Sequence, residues 1–254
     1  MITVGLVQAD IRPNDKKGNL KHYGEWLVQE IQEPVHLLVF PEMFNCGFSP
    51  NVREDAEAHN GESIYFLYMT ANQFQCDVVA TLPIVHGNKI YNRLVWLTRD
   101  RILGYYDKHH LFMGEEEFFT PGEKKVIINT LGYKFLPLTC FDVRFPEWSR
   151  NTIENGHFQY DGLLYTANFP SPRENELVTL AQARAIENQA YVMVVNRVGV
   201  DGYQRRYAGG TSIINPHGKI EAQASPNKEE VLIHVCDFDP IQHLREQFPV
   251  SRFW

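Results

Sequence analysis

The segment KFLPLTCFDVRFPEWSR, residues 134–150, passes from an apolar stretch through a polar turn to a proline. The apolar part is typical of a buried strand, and Pro146 favours a helix start, where its fixed φ and missing N–H are tolerated. Cys140 stands at the junction, a position beside backbone N–H groups that can bind an anion. The segment therefore makes Cys140 a candidate nucleophile. The alternative is a buried thiol that acts as a small apolar side chain.

Two other short apolar segments also end at a charged residue. Residues 36–40, HLLVF, lead to Glu42, and residues 102–106, ILGYY, lead to Lys108. In sheets flanked by helices, ligands collect beyond the carboxyl ends of strands. Glu42, Lys108 and Cys140 are therefore candidates for one shared pocket, although each charged residue alone is more typical of a solvated surface.

Apolar periodicity along the chain predicts a mixed α/β fold. Helical spacing of apolar residues occurs over residues 15–33, 62–74 and 174–189. Residues 77–85 and 91–98 flank a Gly-Asn pair, as the strands of a hairpin do. This pattern indicates sheets covered by helices. It leaves open whether there is one doubly wound sheet or two stacked sheets.

The three charged or nucleophilic positions lie in motifs that resemble those of the nitrilase superfamily, in the family's order. They are FPEM at 40–43, YDKHHLF at 106–112 and LTCFDVRFPEW at 138–148. The resemblance extends over nearly the whole chain, through ITVGLVQ at 2–8, ARAIENQ at 183–189, NRVG at 196–199 and NPHG at 215–218. It is closest to YafV-like omega-amidases, which remove the terminal amide of 2-oxo-dicarboxylic acid monoamides such as 2-oxoglutaramate.

The resemblance implies a four-layer α-β-β-α sandwich and a single carbon-nitrogen hydrolase domain over residues 1–254. It implies a Glu-Lys-Cys triad of Glu42, Lys108 and Cys140. A further family glutamate precedes the Pro-Gly turn at 121–122. We assign it to Glu115, with the adjoining Glu116 and Glu117 as alternatives.

These residue types suit amide hydrolysis through a thioester. A neutral thiol is a poor nucleophile, so Cys140 needs a base, and Glu42 is the candidate. Lys108 and the backbone N–H of Phe141 are candidates for stabilising the tetrahedral oxyanion. Glu115 is expected to hold Lys108 or the substrate amide. No metal or organic cofactor has a role in this chemistry, so none is expected.

An omega-amidase also has to bind the carboxylate at the far end of its substrate. Arg144 is one candidate because its planar guanidinium suits bidentate pairing, but it can instead pair with Asp142 or Glu147. Arg173 and Arg197 are alternatives. Phe169 stands where many family members carry Trp and is expected to line the substrate pocket.

Several other functions remain open at the level of sequence. A carbamoyl amidase or a true nitrilase would carry the same triad, and a catalytically idle interaction protein could keep the fold. A Cys–His pair that uses His109, His110 or His157 is chemically sensible. Metal binding by the adjacent pair His109-His110 is disfavoured, because neighbouring side chains on a strand point apart.

Composition limits the partners and the location of the protein. The chain has 254 residues and a net charge of −7, with no basic stripe that would indicate a nucleic-acid partner. Four widely separated cysteines favour reduced thiols in the cytoplasm. No apolar run is long enough to span a bilayer. The family resemblance implies a homodimer, to which the aromatic tail at residues 248–254 is a candidate contributor.

Overall fold

The computed structural model describes residues 1–48 and 51–253, and within them two six-stranded β-sheets and two short hairpins are connected by helices and turns. Trp254, which ends the aromatic tail considered above, lies outside the described residues. The strands are β1 (Ile2–Gln8), β2 (Leu37–Val39), β3 (Asp77–His86), β4 (Lys89–Leu97), β5 (Ile102–Asp107), β6 (Ile128–Thr130), β7 (Tyr133–Thr139), β8 (Ile153–Glu154), β9 (His157–Phe158), β10 (Gly162–Thr166), β11 (Tyr191–Val195), β12 (Val198–Val200), β13 (Arg206–Ala208), β14 (Ser212–Ile214), β15 (Ile220–Gln223) and β16 (Glu230–Cys236). The α-helices are α1 (Lys16–Glu30), α2 (Val52–Asp55), α3 (Glu62–Phe74), α4 (Pro146–Ser149), α5 (Glu174–Asn188) and α6 (Pro240–Gln247).

The two large sheets pack against each other and are covered by helices on their outer faces. On β1, Val4 and Leu6 belong to the core between the sheets, whereas the alternate residue Val7 packs with residues of α1 and α3. Residues of α5, among them Leu177 and Ala181, pack against the second sheet. Because strand side chains alternate between faces, a strand buried on both faces is apolar throughout. The layers are therefore α-β-β-α, as expected.

The helices and the hairpin begin and end close to the positions that periodicity predicts. Helix α1 starts after Asp15, whose side chain accepts a hydrogen bond from the N–H of Gly18 at 2.9 Å and satisfies a free donor of the first turn. Helix α3 has the predicted bounds, and α5 ends one residue earlier than predicted. Strands β3 and β4 pair antiparallel as the predicted hairpin.

Strand direction brings the candidate residues to one side of the sandwich. The first sheet has the order β16-β1-β2-β3-β4-β5. Strand β2 is parallel to β3, and β4 is antiparallel to both β3 and β5, so β2, β3 and β5 all run the same way. Glu42 follows β2 and Lys108 follows β5 at that edge. In the second sheet, β15-β14-β11-β10-β7-β6, the strands β7, β10 and β11 are parallel. Cys140 follows β7.

In the described part of the chain no helix has the length and apolar character needed to cross a membrane.

Candidate active site

Cys140 lies at the first position after β7, in a strained backbone conformation. It begins a 3-10 turn, Cys140–Arg144, and its φ is 47°, in the left-handed region that side chains with a Cβ rarely adopt. Such a residue costs about 1–3 kcal/mol unless its surroundings fix it. Here the carboxylate of Asp142 accepts the N–H of Thr139 at 3.0 Å, which closes the turn around Cys140.

Asp142 also connects this turn to the loop that follows Lys108. Its buried carboxylate accepts hydrogen bonds from the hydroxyl of Tyr106 at 2.7 Å and from the backbone N–H of His110 at 3.0 Å, and it lies 2.8 Å from Nδ1 of His110. Burial and the neighbouring Asp142 raise the pKa of Tyr106 well above its usual value, so the phenol stays a donor. The turn that contains Cys140 and the segment around Lys108 are therefore hydrogen-bonded to the same carboxylate, that of Asp142.

Glu42 is fully buried and its carboxylate accepts three hydrogen bonds. Oε1 lies 2.9 Å from Nζ of Lys108 and 2.7 Å from Nδ2 of Asn92, and Oε2 lies 2.9 Å from the backbone N of Asn168. The residue that follows, Met43, has a φ of 54°, and its N–H donates to the hydroxyl of Thr81 at 2.9 Å. The tight turn after β2 therefore fixes the direction of the Glu42 side chain.

Lys108 is held between two carboxylates. Its Nζ lies 2.9 Å from both Glu42 and Glu115. Burial lowers the pKa of Lys108, but the carboxylates of Glu115 and Glu42 outweigh this and raise the pKa well above its usual value. Lys108 is therefore a charged ammonium.

Of the three adjoining glutamates, Glu115 is the one with a described contact to Lys108. Glu115 contacts the ammonium and also accepts the N–H of Phe112 at 2.9 Å. Burial raises the pKa of Glu115, Lys108 opposes this, and Glu42 adds to it. Glu116 instead accepts the N–H of Gly114, and Glu117 lines the nearby cavity.

A cavity of about 400 Å³ opens over these residues. Cys140, Glu42 and Glu115 line it, together with Asn168 and the aromatic side chains Phe48, Phe112, Phe118, Phe141, Phe169, Tyr203 and Tyr207. Burial and the neighbouring Glu42 raise the pKa of Cys140 well above its usual value, against the opposing effect of Lys108. The resting thiol is therefore protonated and needs a base before it can attack.

The three candidate arginines have different surroundings. Arg173 lines the cavity, with its guanidinium carbon 4.8 Å from the ring centroid of Phe112 and 5.5 Å from that of Phe169. Arg144 is absent from the described lining and pairs with Glu176, rather than with Asp142 or Glu147. Arg197 is fully buried, and its Nη2 donates to the carbonyl of Ile11 at 2.7 Å.

Ion pairing separates these arginines further. Among the described residues, no carboxylate forms an ion pair with Arg173 or with Arg205, a second arginine that lines the cavity. Both therefore have charge available for an anionic ligand, whereas Arg144 is paired with Glu176 and Arg197 with Asp10. The guanidinium carbon of Arg144 lies 5.5 Å from the ring centroid of Phe169, so Arg144 is close to the cavity wall.

The histidines considered above lie elsewhere. No histidine belongs to the described lining of the cavity. His109 stacks on Trp148 with ring centroids 3.8 Å apart, and His110 stacks on Phe145 at 3.6 Å beside Asp142. His157 lies in the β8–β9 hairpin. Residues 1–48 and 51–253 contain no cluster of His, Cys, Asp and Glu able to hold a metal ion. This arrangement disfavours the Cys–His alternative.

Three asparagines that sequence reasoning did not single out organise the site. Asn92 and Asn168 donate to the Glu42 carboxylate, and Asn168 Nδ2 also donates to the Glu42 carbonyl at 2.6 Å. Asn196 bonds both the N–H and the carbonyl of Phe169. Asn92 lies within a strand, where asparagine is disfavoured, and this is the signal in the sequence that could have identified it.

The chain is similar to known proteins over nearly its whole length. A family model described as Carbon-nitrogen hydrolase matches residues 3–246. A Yersinia enterocolitica protein named Omega-amidase YafV is 35% identical, covering 96% of this chain and 93% of its own. A Bacillus subtilis protein named 2-oxoglutaramate amidase is 30% identical, covering 98% and 95%. The crystal structure of XC1258 from Xanthomonas campestris, a CN-hydrolase superfamily protein, has a TM-score of 0.95 and 31% identity, covering 100% and 97%.

We predict that Asp142→Asn slows alkylation of Cys140 by iodoacetamide about tenfold or more. The amide nitrogen would face hydrogen-bond donors, and a buried donor without an acceptor costs about 1–3 kcal/mol, so the turn around Cys140 should relax. The measurement is the alkylation rate, followed by mass spectrometry. Asp77→Asn is the matched control, since Asp77 is also buried and accepts from Trp96 and Thr130. It should lose stability without a change in alkylation. A rate in Asp142→Asn equal to or above that of the parent protein would contradict the role of Asp142.

Proposed function

Since this chain belongs to the carbon-nitrogen hydrolase family, we propose that it is a thiol amidohydrolase that releases ammonia from the terminal amide of short 2-oxo-dicarboxylic acid monoamides, the omega-amidase reaction. The observation that carries the proposal is that Cys140, Glu42 and Glu115 line one cavity while Lys108 is bonded to both carboxylates. The omega-amidase and 2-oxoglutaramate amidase names of relatives that match nearly the full length support the choice of substrate.

In the first half of the proposed reaction, Glu42 takes the proton of the Cys140 thiol as sulfur attacks the amide carbon. The carbonyl oxygen becomes an oxyanion, which Lys108 and the backbone N–H of Phe141 stabilise. Glu42 then gives the proton to the amide nitrogen, the C–N bond breaks, and ammonia leaves. The product of this half is a thioester on Cys140.

In the second half, Glu42 takes a proton from a water molecule, whose oxygen attacks the thioester carbon. The C–S bond breaks, the carboxylic acid is released, and the proton returns to the sulfur. Glu115 keeps Lys108 in place through both halves, because its carboxylate is the second partner of the ammonium. The charge of Lys108 suits this role, since an ammonium fixed before the reaction needs no reorganisation when the oxyanion forms.

The far carboxylate of the substrate is proposed to bind Arg173, with Phe169 and Phe112 on either side of the reacting chain. Arg173 has the positive charge and the position on the cavity wall that this contact needs, whereas Arg144 is already paired with Glu176. An anchored carboxylate supplies binding energy that orients the amide at Cys140. Ammonia release from a panel of amides, N-carbamoyl compounds and nitriles tests this choice against a carbamoyl amidase or a nitrilase.

The remaining features of the proposal concern the whole chain. We propose one carbon-nitrogen hydrolase domain over residues 1–254 and a cytoplasmic location, for which the four separated cysteines are the support. A small-molecule amide is the proposed partner, and the acidic net charge of −7 argues against nucleic acid. We also propose a homodimer, with the C-terminal tail at its interface.

We predict that Cys140→Ala abolishes ammonia release from 2-oxoglutaramate, because no other group can form the thioester. Glu42→Gln keeps the shape of the base but cannot accept a proton, so kcat/KM should fall about 10²–10⁴-fold. Steady-state assays and circular dichroism of the purified variants measure activity and folding. Cys236→Ala removes an equally buried thiol on β16 and should stay active. Turnover by the Cys140→Ala variant would refute the mechanism.

For the substrate anchor, we predict that Arg173→Gln lowers kcat/KM for 2-oxoglutaramate or succinamate about ten- to hundredfold. This is the range expected when a hydrogen bond to a charged group is lost. Neutral amides of equal length should be hydrolysed poorly by the parent protein and change little on substitution. Arg144→Gln is the control, and its kcat/KM should change little for either substrate class. Equal use of neutral and anionic amides by the parent protein would reject the omega-amidase assignment.

For assembly, we predict that light scattering at micromolar concentration gives twice the mass of one chain. Phe248 is 65% exposed and Phe253 is 89% exposed, and apolar surface of this kind favours association. Phe248→Asp should therefore weaken the dimer. Tyr65→Asp changes an aromatic residue of α3 that is 66% exposed and should leave the mass unchanged. A monomer in the parent protein would exclude the proposed dimer.

A further inference from the structure

Asn92 is bonded to both charged partners at the base of the cavity. Its side chain donates to Oε1 of Glu42 at 2.7 Å, and its backbone carbonyl accepts the N–H of Lys108 at 2.9 Å. The second bond extends the β4–β5 ladder by one pair beyond Arg93 and Asp107. Asn92 and Lys108 are therefore directly opposite each other, and side chains at opposite positions share a face of the sheet. Both side chains reach the same carboxylate oxygen.

The stability of the fold does not explain an asparagine at this position. Asn92 is buried within a strand, an environment that disfavours asparagine. In the part of the chain that the structure describes, its Oδ1 is buried and has no hydrogen-bond partner. A buried polar atom without a partner lowers stability. The donor of Asn92 to Glu42 is the contact that an apolar residue of the same size could not supply.

We propose that Asn92 is a positioning residue for the proposed amidase reaction, which fixes Glu42 Oε1 beside Lys108 and sets how readily Glu42 accepts the thiol proton. This inference rests on the proposed function of the site. A hydrogen bond to a carboxylate stabilises its ionised form, which is the form that acts as a base. The bond also leaves Oε2 of Glu42, which accepts only the N–H of Asn168 among the described donors, with capacity to accept a further proton.

The test is the pH dependence of two rates in Asn92→Leu and Asn92→Asp. The first rate is ammonia release from 2-oxoglutaramate, and the second is alkylation of Cys140 by iodoacetamide, which needs no substrate. In Asn92→Leu, loss of one donor to the carboxylate should move the acid limb of both profiles up by about one pH unit, with KM within about twofold. Asn92→Asp places a like charge beside Glu42 and should move the limb further.

Asn45→Leu is the matched control. Asn45 is equally buried, donates its Nδ2 to the hydroxyl of Ser63 at 2.9 Å, and also has an Oδ1 without a partner among the described residues. It does not contact Glu42 or line the cavity in the described structure. Its substitution should change thermal stability but leave the acid limb where it is in the parent protein.

The possible outcomes separate this inference from the proposed function. The role of Asn92 is supported if the acid limb moves to higher pH in both variants, and further in Asn92→Asp than in Asn92→Leu. Acid limbs equal to that of the parent protein in both variants overturn it, even if the rates fall. If Asn92→Leu does not fold, Asn92→Asp and the smaller Asn92→Ser give the same comparison. If the parent protein releases no ammonia, the proposed function is wrong. The pH profile of Cys140 alkylation, which needs no substrate, still tests the role of Asn92.

Discussion

The buried ammonium of Lys108 is the constraint on which the rest of the site depends. It lies 2.9 Å from two carboxylates, on Glu42 and on Glu115, and the Lys108 side chain is fully buried. An isolated charge in such a place is costly, and removal of one partner from a buried ion pair is costly as well, at about 3–5 kcal/mol. The three residues therefore have to be present together. They connect the end of β2, the end of β5 and the turn at Glu115–Glu117.

Backbone strain appears at two points of this arrangement, and hydrogen bonds stabilise both. Cys140 and Met43 have φ values of 47° and 54°, in the left-handed region. Asp142 closes the turn around Cys140, and the hydroxyl of Thr81 accepts the N–H of Met43. Strain of this kind persists only where the surroundings fix it, and it aims side chains that regular strands would direct into the layers. The thiol and the carboxylate reach the cavity for this reason.

In the proposed mechanism, the reacting groups and the groups that select a substrate come from different parts of the cavity wall. Beyond the carboxyl ends of the strands, Asn92 and Asn168 hold Glu42, the carboxylates of Glu42 and Glu115 hold Lys108, and Asp142 closes the turn around Cys140. Arg173 ends the 3-10 turn Ser171–Arg173, and most of the aromatic residues that line the cavity lie in loops. Loops tolerate substitution better than the sheets that support them. Within this family fold, substrate choice can therefore change without disturbing the buried ion pair.

The sequence by itself determined the main local elements and the candidate reacting residues. The strand-like runs on both sides of the Gly-Asn turn and the apolar spacing in α1, α3 and α5 are local, so they predicted the β3–β4 hairpin and these three helices to within a few residues. Charged or nucleophilic residues shortly after apolar runs made Glu42, Lys108 and Cys140 candidates, and the resemblance to a family joined them in a predicted triad and favoured two stacked sheets over one doubly wound sheet.

Only the tertiary structure decided which residues support Glu42 and which arginines line the cavity without a carboxylate partner among the described residues. Asn92 contacts a residue 50 positions earlier, and Asn168 one 126 positions earlier. Such contacts depend on strand order and on the ladder that places Asn92 opposite Lys108. The pairing of Arg144 with Glu176 and the burial of Arg197 likewise follow from packing between distant segments. Periodicity fixes which face of its own strand a side chain occupies, whereas the partner on that face is set by the fold.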